Sequence, residues 1–235
     1  MKKIAIIIPC FNEEKSLPSL IREILQLPRD LTPIVVDDGS QDQTAFVAQK
    51  TGAIVLKLPA NLGIGGAVQT GLIFAQRHHF DFAIQVDGDG QHDPSEIETL
   101  LKAQENSQAD IVIGSRYLRS DESQNTFKST ISRRMGISAI SMVIRWLYGL
   151  KILDTTSGFR LMNKKAMATF AEHYPVDFPE PITFAIAHEH QLKIFECPVK
   201  MRERQHGTSS ITGLKPMKYM IRVIGYLILY QGRRK

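Results

Sequence analysis

The sequence predicts an α/β protein, with a mostly parallel sheet flanked by helices and a C-terminal amphipathic helix. Three observations carry this expectation. Short apolar, β-branched runs alternate with segments of helical periodicity, the pattern of a parallel sheet built with right-handed crossovers. The runs are continuously apolar, as strands covered on both faces require. Four of them end in polar clusters, and in such sheets ligands bind beyond the carboxyl ends of the strands.

Ile4-Ala5-Ile6-Ile7-Ile8 reads as the first strand and ends in the cluster Pro9 to Glu13. Leu17, Leu20, Ile21, Ile24 and Leu25 follow at helical spacing, with Pro18 tolerable in the first turn. Pro33-Ile34-Val35-Val36 is a second buried strand, ending in Asp37-Asp38-Gly39-Ser40. A helix over Thr44 to Lys50, a strand Ile54-Val55-Leu56 and a helix over Gly63 to His79 come next. The strand Phe82 to Val86, a helix from Pro94 and the strand Ile111-Val112-Ile113, ending in Gly114-Ser115-Arg116, complete this half. Beyond it, residues 118–128 are polar and loop-like, and Ile131 to Leu150 is strongly apolar with Arg133, Arg134, Arg145 and Trp146. Asp154 to Arg160 reads as a turn of hydroxyl donors ending in a cation, and Tyr174 to Pro181 as a Pro-rich loop holding Glu180. Lys193 to Val199 is a late strand leading into a basic loop, Arg202 to Ser210.

The composition, 43% hydrophobic and 23% charged over 235 residues, is that of an ordinary globular chain. Cys10 and Cys197 match no metal spacing and suit a reduced, cytosolic environment. The apolar run after Met1-Lys2-Lys3 stops at Pro9, too early for a signal peptide. No stretch reaches the roughly 18 uncharged apolar residues of a membrane span. Residues 200–235 carry nine Lys/Arg against the single Glu203, a net +8, while the rest of the chain is at −3. Such a tail suits phosphates or an anionic surface.

The stretch Gln85 to Asp93 holds the densest chemistry. On an extended backbone Asp87 and Asp89 point to one face, aiming two carboxylates at one place. They repel unless a cation or proton lies between them, and hard oxygen ligands suit Mg²⁺ or Mn²⁺ with positions left for substrate phosphates. The alternative is an Asp/Gly turn that caps the next helix through Asp93 before Pro94. Asn61 to Gly66 lacks the Gly or Ala that a dinucleotide fingerprint needs where Val68 stands, so it reads as a glycine-rich helix start packed close to the sheet. His78-His79 and His188-Glu189-His190 lack the spacing of a helical metal pair.

Seven motifs stand in order: Ile-Pro-Cys-Phe-Asn-Glu-Glu at 8–14, Val-Asp-Asp-Gly-Ser at 36–40, Asn-Leu-Gly at 61–63, Asp-Gly-Asp-Gly-Gln-His at 87–92, Gly-Ser-Arg-Tyr at 114–117, Thr-Ser-Gly-Phe-Arg at 156–160 and Arg-Gln-His-Gly-Thr-Ser at 204–209. Together they resemble the family 2 glycosyltransferases of the GT-A (Rossmann-like) fold. Within these, they are most similar to polyprenyl-phosphate sugar synthases of the dolichol-phosphate mannosyltransferase type. The resemblance runs from Ile4 to about Ser210 and implies a catalytic domain over 1–212, while residues 213–235 read from their own pattern as a basic amphipathic helix with Lys218 and Arg222 on one side. It also implies that Pro9, Asn12, Glu13 and Asp38 hold the nucleotide, and that Asp87, Asp89 and Gln91 surround Mg²⁺ or Mn²⁺ at the diphosphate. Arg116, Ser157 and Arg160 would meet an acceptor phosphate, and Arg204 would clamp the diphosphate. Many relatives end the last loop in Ser-Lys; here Ser209-Ser210 stands, so the lysine's share would fall to Arg202, Arg204 or Lys215.

The function so implied is inverting transfer of a sugar from a nucleoside-diphosphate sugar to a polyprenyl (undecaprenyl or dolichyl) phosphate. An oxyanion acceptor needs no general base. Transfer to a sugar hydroxyl, as in cell-surface polysaccharide synthesis, would need one, and Glu180 is the best placed by sequence. A non-catalytic nucleotide-sugar-binding protein is the reading from another class. The expected location is peripheral, on the cytoplasmic face, where residues 213–235 meet an anionic membrane surface or a small integral membrane partner or, alternatively, pack on the protein's own core. Nucleic acid is not an expected partner.

Overall fold

The computed structural model describes residues 2–118, 131–202 and 215–232, leaving aside the side chains of 131–133, 215–219 and 231–232. Seven strands form one sheet: β1 (Ile4–Cys10), β2 (Leu31–Asp37), β3 (Ile54–Lys57), β4 (Phe82–Gln85), β5 (Ile111–Ser115), β6 (Arg160–Asn163) and β7 (Ile194–Pro198). Their order is β3-β2-β1-β4-β6-β5-β7. β1 pairs in parallel with β2 and β4, and β5 with β7, so the expected parallel crossovers are present. β6 is the exception. It runs antiparallel between β4 and β5, with Arg160 opposite both Gln85 and Ile113. Its first residue therefore lies at the rim where its neighbours end.

The helices are α1 (Leu17–Leu25), α2 (Thr44–Lys50), α3 (Gly63–Arg77), α4 (Ile97–Ser107), α5 (Ile131–Tyr148), α6 (Lys164–His173), α7 (Pro179–Glu189) and α8 (Lys215–Gly232). Alternating strand residues divide the core. Ile4, Ile6 and Ile8 face α1, α2 and α4, whereas Ala5 and Ile7 face α3 and α5 to α8. In α1 four of the five apolar positions, Leu17, Leu20, Ile21 and Ile24, are buried, whereas Leu25 at its end is exposed. Four such side chains contribute roughly 6–12 kcal/mol of gross burial free energy. Asp93 does cap the turn Pro94–Glu96 that leads into α4, accepting from the Ser95 amide at 3.0 Å. The glycine that lets α3 approach the sheet is Gly71, whose absent Cβ would overlap Ile7 Cγ2. Gly65, by contrast, makes room for the backbone of Pro175 and Val176.

Three differences from the sequence reading lie in the second half. Residues 160–163 are a strand, 164–173 form a helix, and Glu180 sits in the first turn of α7 rather than in a loop. The C-terminal helix is not set apart from the rest. Val223 and Leu227 of α8 are fully buried in the core shared with α5 and α7, and Tyr148 donates to the Leu227 carbonyl at 2.9 Å. Its other side leaves Ile221, Arg222 and Ile228 exposed. Among the described residues no helix is long and apolar enough to cross a membrane.

Candidate active site

The rim loops after β1 and β2 are knitted together by short polar contacts. Asn12 adopts a left-handed backbone (φ 57°), which an Asn tolerates better than most residues. Its amide donates to Ser40 Oγ at 2.9 Å, and its Oδ1 accepts from the Gln41 amide at 2.9 Å. The Glu13 amide donates to Thr44 Oγ1 at 2.8 Å. Pro9 is buried in β1 opposite Val36. Asp38 is buried too, and its two oxygens accept from the amides of Leu62 (2.7 Å) and Gly63 (2.9 Å). That places a carboxylate at the positive end of α3, where the helix dipole favours it.

The Asp87–Asp93 loop leans on this platform. The Ser16 hydroxyl lies 2.7 Å from the Gly88 carbonyl and 2.8 Å from Glu13 Oε2, sharing its proton between them. Gly88 has no room for a side chain, since a Cβ would come 2.6 Å from Cys10 Sγ. Burial, and then the charges of Glu13, Asp37, Asp87 and Asp89, push the Cys10 thiol pKa well up. Four carboxylates thus crowd one end of β1. The Asp87 amide donates to His92 Nδ1 at 2.9 Å, which leaves the ring proton of a neutral His92 on Nε2, 3.6 Å from Asp87 Oδ2. His92 stacks on Phe159. Asp89 Oδ1 accepts from the Gln91 amide at 3.0 Å. Asp89 is buried, whereas the Asp87 side chain is 37% exposed.

The donor set fits a hard divalent cation. Two carboxylates in a strongly negative pocket suit Mg²⁺ or Mn²⁺, which commonly complete their shell with water and substrate phosphates. Among the described residues no three His, Cys, Asp or Glu side chains form a closed cage. Gln91 stands beside the pair with its backbone engaged, its amide to Asp89 and its carbonyl to the Arg202 amide.

Opposite this loop the turn from Asp154 to Arg160 carries the cations. Arg116 donates to both Asp154 oxygens, from Nε at 2.7 Å and Nη2 at 2.6 Å, and to Thr156 Oγ1 at 2.8 Å. Burial opposes the guanidinium charge, but the Asp154 hydrogen bonds outweigh it and raise the Arg116 pKa. Ser157 is equally committed, donating to the Gly114 carbonyl at 2.7 Å and accepting from the Phe159 amide. Of the three residues expected at an acceptor phosphate, Arg160 differs. Its described hydrogen bonds all run to neutral groups: the Ser157 carbonyl (2.7 Å), Thr183 Oγ1 (2.5 Å) and the Glu180 carbonyl (3.1 Å). It is only 4% exposed and lies over the Phe184 ring. At Gly158 the turn touches the donor side, because a Cβ there would fall 3.0 Å from Asp87 Oδ1.

Glu180 completes this side. Burial raises its carboxyl pKa and the Asp87 charge adds to the shift, while Arg160 and Arg116 pull it back. Arg202 does not stand free to replace a missing lysine. Its guanidinium is held by Glu23 Oε2 (2.7 Å) and Asp93 Oδ1 (2.9 Å). Arg204, Ser209, Ser210 and the Lys215 side chain lie outside the described residues. Asp154, Thr183 and His92, which orient Arg116, Arg160 and the Asp87 backbone, went unassigned in the sequence. His92 stood at the end of the 87–92 motif and Asp154 at the start of the turn that ends in Arg160, each without a role, and Thr183 carries no signal without the fold.

The seven-stranded, mostly parallel sheet flanked by helices is an α/β fold of the GT-A type. Residues 5–170 match Glycosyl transferase family 2, and the chain belongs to that family. It is 29% identical to a UDP-N-acetylglucosamine–dolichyl-phosphate N-acetylglucosaminyltransferase of Methanococcus voltae, over 91% of this chain and 93% of the relative. It is 30% identical to an undecaprenyl-phosphate mannosyltransferase of Micrococcus luteus, over 90% and 88%. Glucosyl-3-phosphoglycerate synthase of Mycobacterium tuberculosis, solved with Mn²⁺ and UDP, shares the fold at a TM-score of 0.72 and 19% identity, over 98% of this chain and 80% of that one.

Proposed function

We propose that this glycosyltransferase moves a sugar from a nucleoside-diphosphate sugar to a polyprenyl phosphate, with inversion at the anomeric carbon. The observation that carries the reading is the meeting, at Gly158, of two opposite chemistries. The Asp87 carboxylate lies on one side and the buried Arg160, hydrogen-bonded to neutral groups, on the other. The two polyprenyl-phosphate sugar transferases named above support the same acceptor class. Asp87 and Asp89, with Gln91 beside them, would hold Mg²⁺ or Mn²⁺. When bound, the ion supplies charge neutralisation for the diphosphate leaving group.

An acceptor phosphate oxygen forms the new bond to the anomeric carbon as the bond to the diphosphate breaks, and no proton has to be removed. The protein's work is then to position both partners and to stabilise developing charge. Arg160 presents the acceptor-side charge, held in place by Ser157, Glu180 and Thr183. Arg116, fixed by Asp154, adds positive potential from behind the turn. Pro9, Asn12 and Glu13 line the donor side, Asp38 anchors α3 beside it, and Arg204 is assigned to the diphosphate. Glu180 supports a second reading, transfer to a sugar hydroxyl, because a carboxyl with a raised pKa beside the site has the character of a general base.

The outer faces of α5 and α8 suit a membrane surface. Met142 and Trp146 of α5 and Ile221 and Ile228 of α8 are exposed, flanked by Arg134, Arg145 and Arg222. The proposed place is the cytoplasmic face, on anionic lipid or beside a small integral membrane partner, with no nucleic acid involved. Purified protein given labelled nucleotide sugars with undecaprenyl or dolichyl phosphate should form a polyprenyl-phosphate sugar with inverted anomeric configuration. Glycosylation of sugar hydroxyls alone would establish the second reading instead, and donor binding without transfer or hydrolysis would mark a non-catalytic protein.

A further inference from the structure

A cavity of about 350 Å³ lies between α7 and α8, walled by Tyr174, Ile182, Ile186, Tyr226, Leu229 and Tyr230. His173 and Pro175 complete its lining, which is mainly aliphatic and aromatic, with the His173 ring and the tyrosine hydroxyls as its polar groups and no Asp, Glu, Lys or Arg. One wall belongs to the helix that supports Arg160. The Glu180 carbonyl and Thr183 hydroxyl accept from the guanidinium, while Ile182 and Ile186, one turn apart, face the cavity. Tyr174 joins the two regions. It is 7% exposed and lines the cavity, and burial together with the Glu180 charge raises its pKa, so it stands within electrostatic reach of that carboxylate. The opposite wall opens outward, since Tyr226 is 46% exposed and Leu229 70%. The cavity thus runs from the flank of the Arg160 support to an exposed apolar edge of α8.

We infer that this groove holds the phosphate-proximal isoprene units of the acceptor, an inference that rests on the polyprenyl-phosphate reading. A lipid whose head lies at Arg160 must carry its first branched, unsaturated units away from a polar rim. A neighbouring channel of Ile, Leu and Tyr surfaces removes them from water and leads them to the outside. Aromatic faces also pack well on the methyl branches and double bonds of such a chain.

The test compares dimethylallyl phosphate with geranylgeranyl phosphate, in one detergent, for the wild type and Leu229→Trp. Leu229 is exposed, so a larger side chain fills the mouth of the groove without entering the core. The KM for the long acceptor should rise about tenfold, the effect of losing on the order of two buried methylenes. The KM for the short acceptor should stay unchanged. Equal values for both acceptors in both proteins would overturn the groove assignment. A wild type that uses neither acceptor would overturn the polyprenyl-phosphate reading itself. If the variant loses both activities together, labelling of the wild type by a farnesyl phosphate bearing a terminal diazirine decides. Adducts on 174–186 or 226–230 support the groove, and adducts confined to other segments refute it. Vesicle sedimentation without acceptor should be the same for both proteins; a difference would make Leu229 a membrane contact and sink the assignment.

Discussion

Replacing Asp154 by asparagine tests whether Arg116 is held by the protein or available to a ligand. The Arg116 and Asp154 side chains are 7% and 0% exposed. The carboxylate accepts from Nε, Nη2 and the Arg116 amide at 2.7, 2.6 and 3.0 Å. An asparagine keeps the shape but sets an amide NH₂ against one guanidinium N–H, and it leaves a buried cation without its counter-charge. Removing one partner of a buried ion pair costs about 3–5 kcal/mol, whereas replacing both by apolar residues of similar volume is often neutral. Urea unfolding should therefore show Asp154→Asn destabilised by that amount, with the double variant Arg116→Met/Asp154→Leu recovering most of the loss. A loss below about 1 kcal/mol, the value of a solvated pair, would refute the reasoning. Arg116 would then be free to serve as a direct phosphate fork.

Asp89→Ala should abolish transfer, because a hard cation loses one of its two anionic protein ligands; chelation should mimic it, and full turnover in chelator would remove the metal assignment. Glu180→Gln separates the acceptors: a loss of roughly 10²–10⁴-fold in kcat marks a general base, and the expected modest loss marks a phosphate acceptor. The same variant should change stability with pH. With the folded pKa raised above the ordinary 4.5, the stabilising contribution of protonated Glu180 is complete below that value and is lost as pH rises through the raised one. Melting temperatures of wild type and Glu180→Gln should accordingly diverge from pH 4.5 upward in favour of the variant, and parallel curves would refute the shift. Gly71→Ala should cost about 1–3 kcal/mol through overlap with Ile7, measured by denaturant midpoint; no change would mean that α3 can move off β1 freely.

The first half of the fold was legible in the chain because parallel strands covered on both faces, as β1, β2 and β4 are, must be continuously apolar, and the helices between them must show one apolar stripe; β3, at the sheet edge with Ile54 exposed, is apolar without being so covered. The same logic placed Asp87 and Asp89 at a strand's carboxyl end, and Asp93 before Pro94 served as a cap as its position suggests. Arg160 to Asn163 carries no such signature: four residues, two of them polar, are too few to display a period. Its antiparallel direction comes from its place between β4 and β5 and from nothing local.

What the sequence by itself determined is therefore the layered α/β architecture, the family, and the acidic cluster at the rim, all set by patterns that repeat within a few residues. What only the tertiary structure decided is the state of each cation. Arg116 and Arg160 stand in similar motifs and carry the same charge. Yet one is matched by Asp154, 38 residues away, and the other rests on carbonyls and a hydroxyl of α7. The sides of α8 were decided in the same way, since burial of Val223 and Leu227 follows from where α5 and α7 lie. Electrostatic partners and buried faces depend on distance in space, and spacing along the chain does not encode that distance.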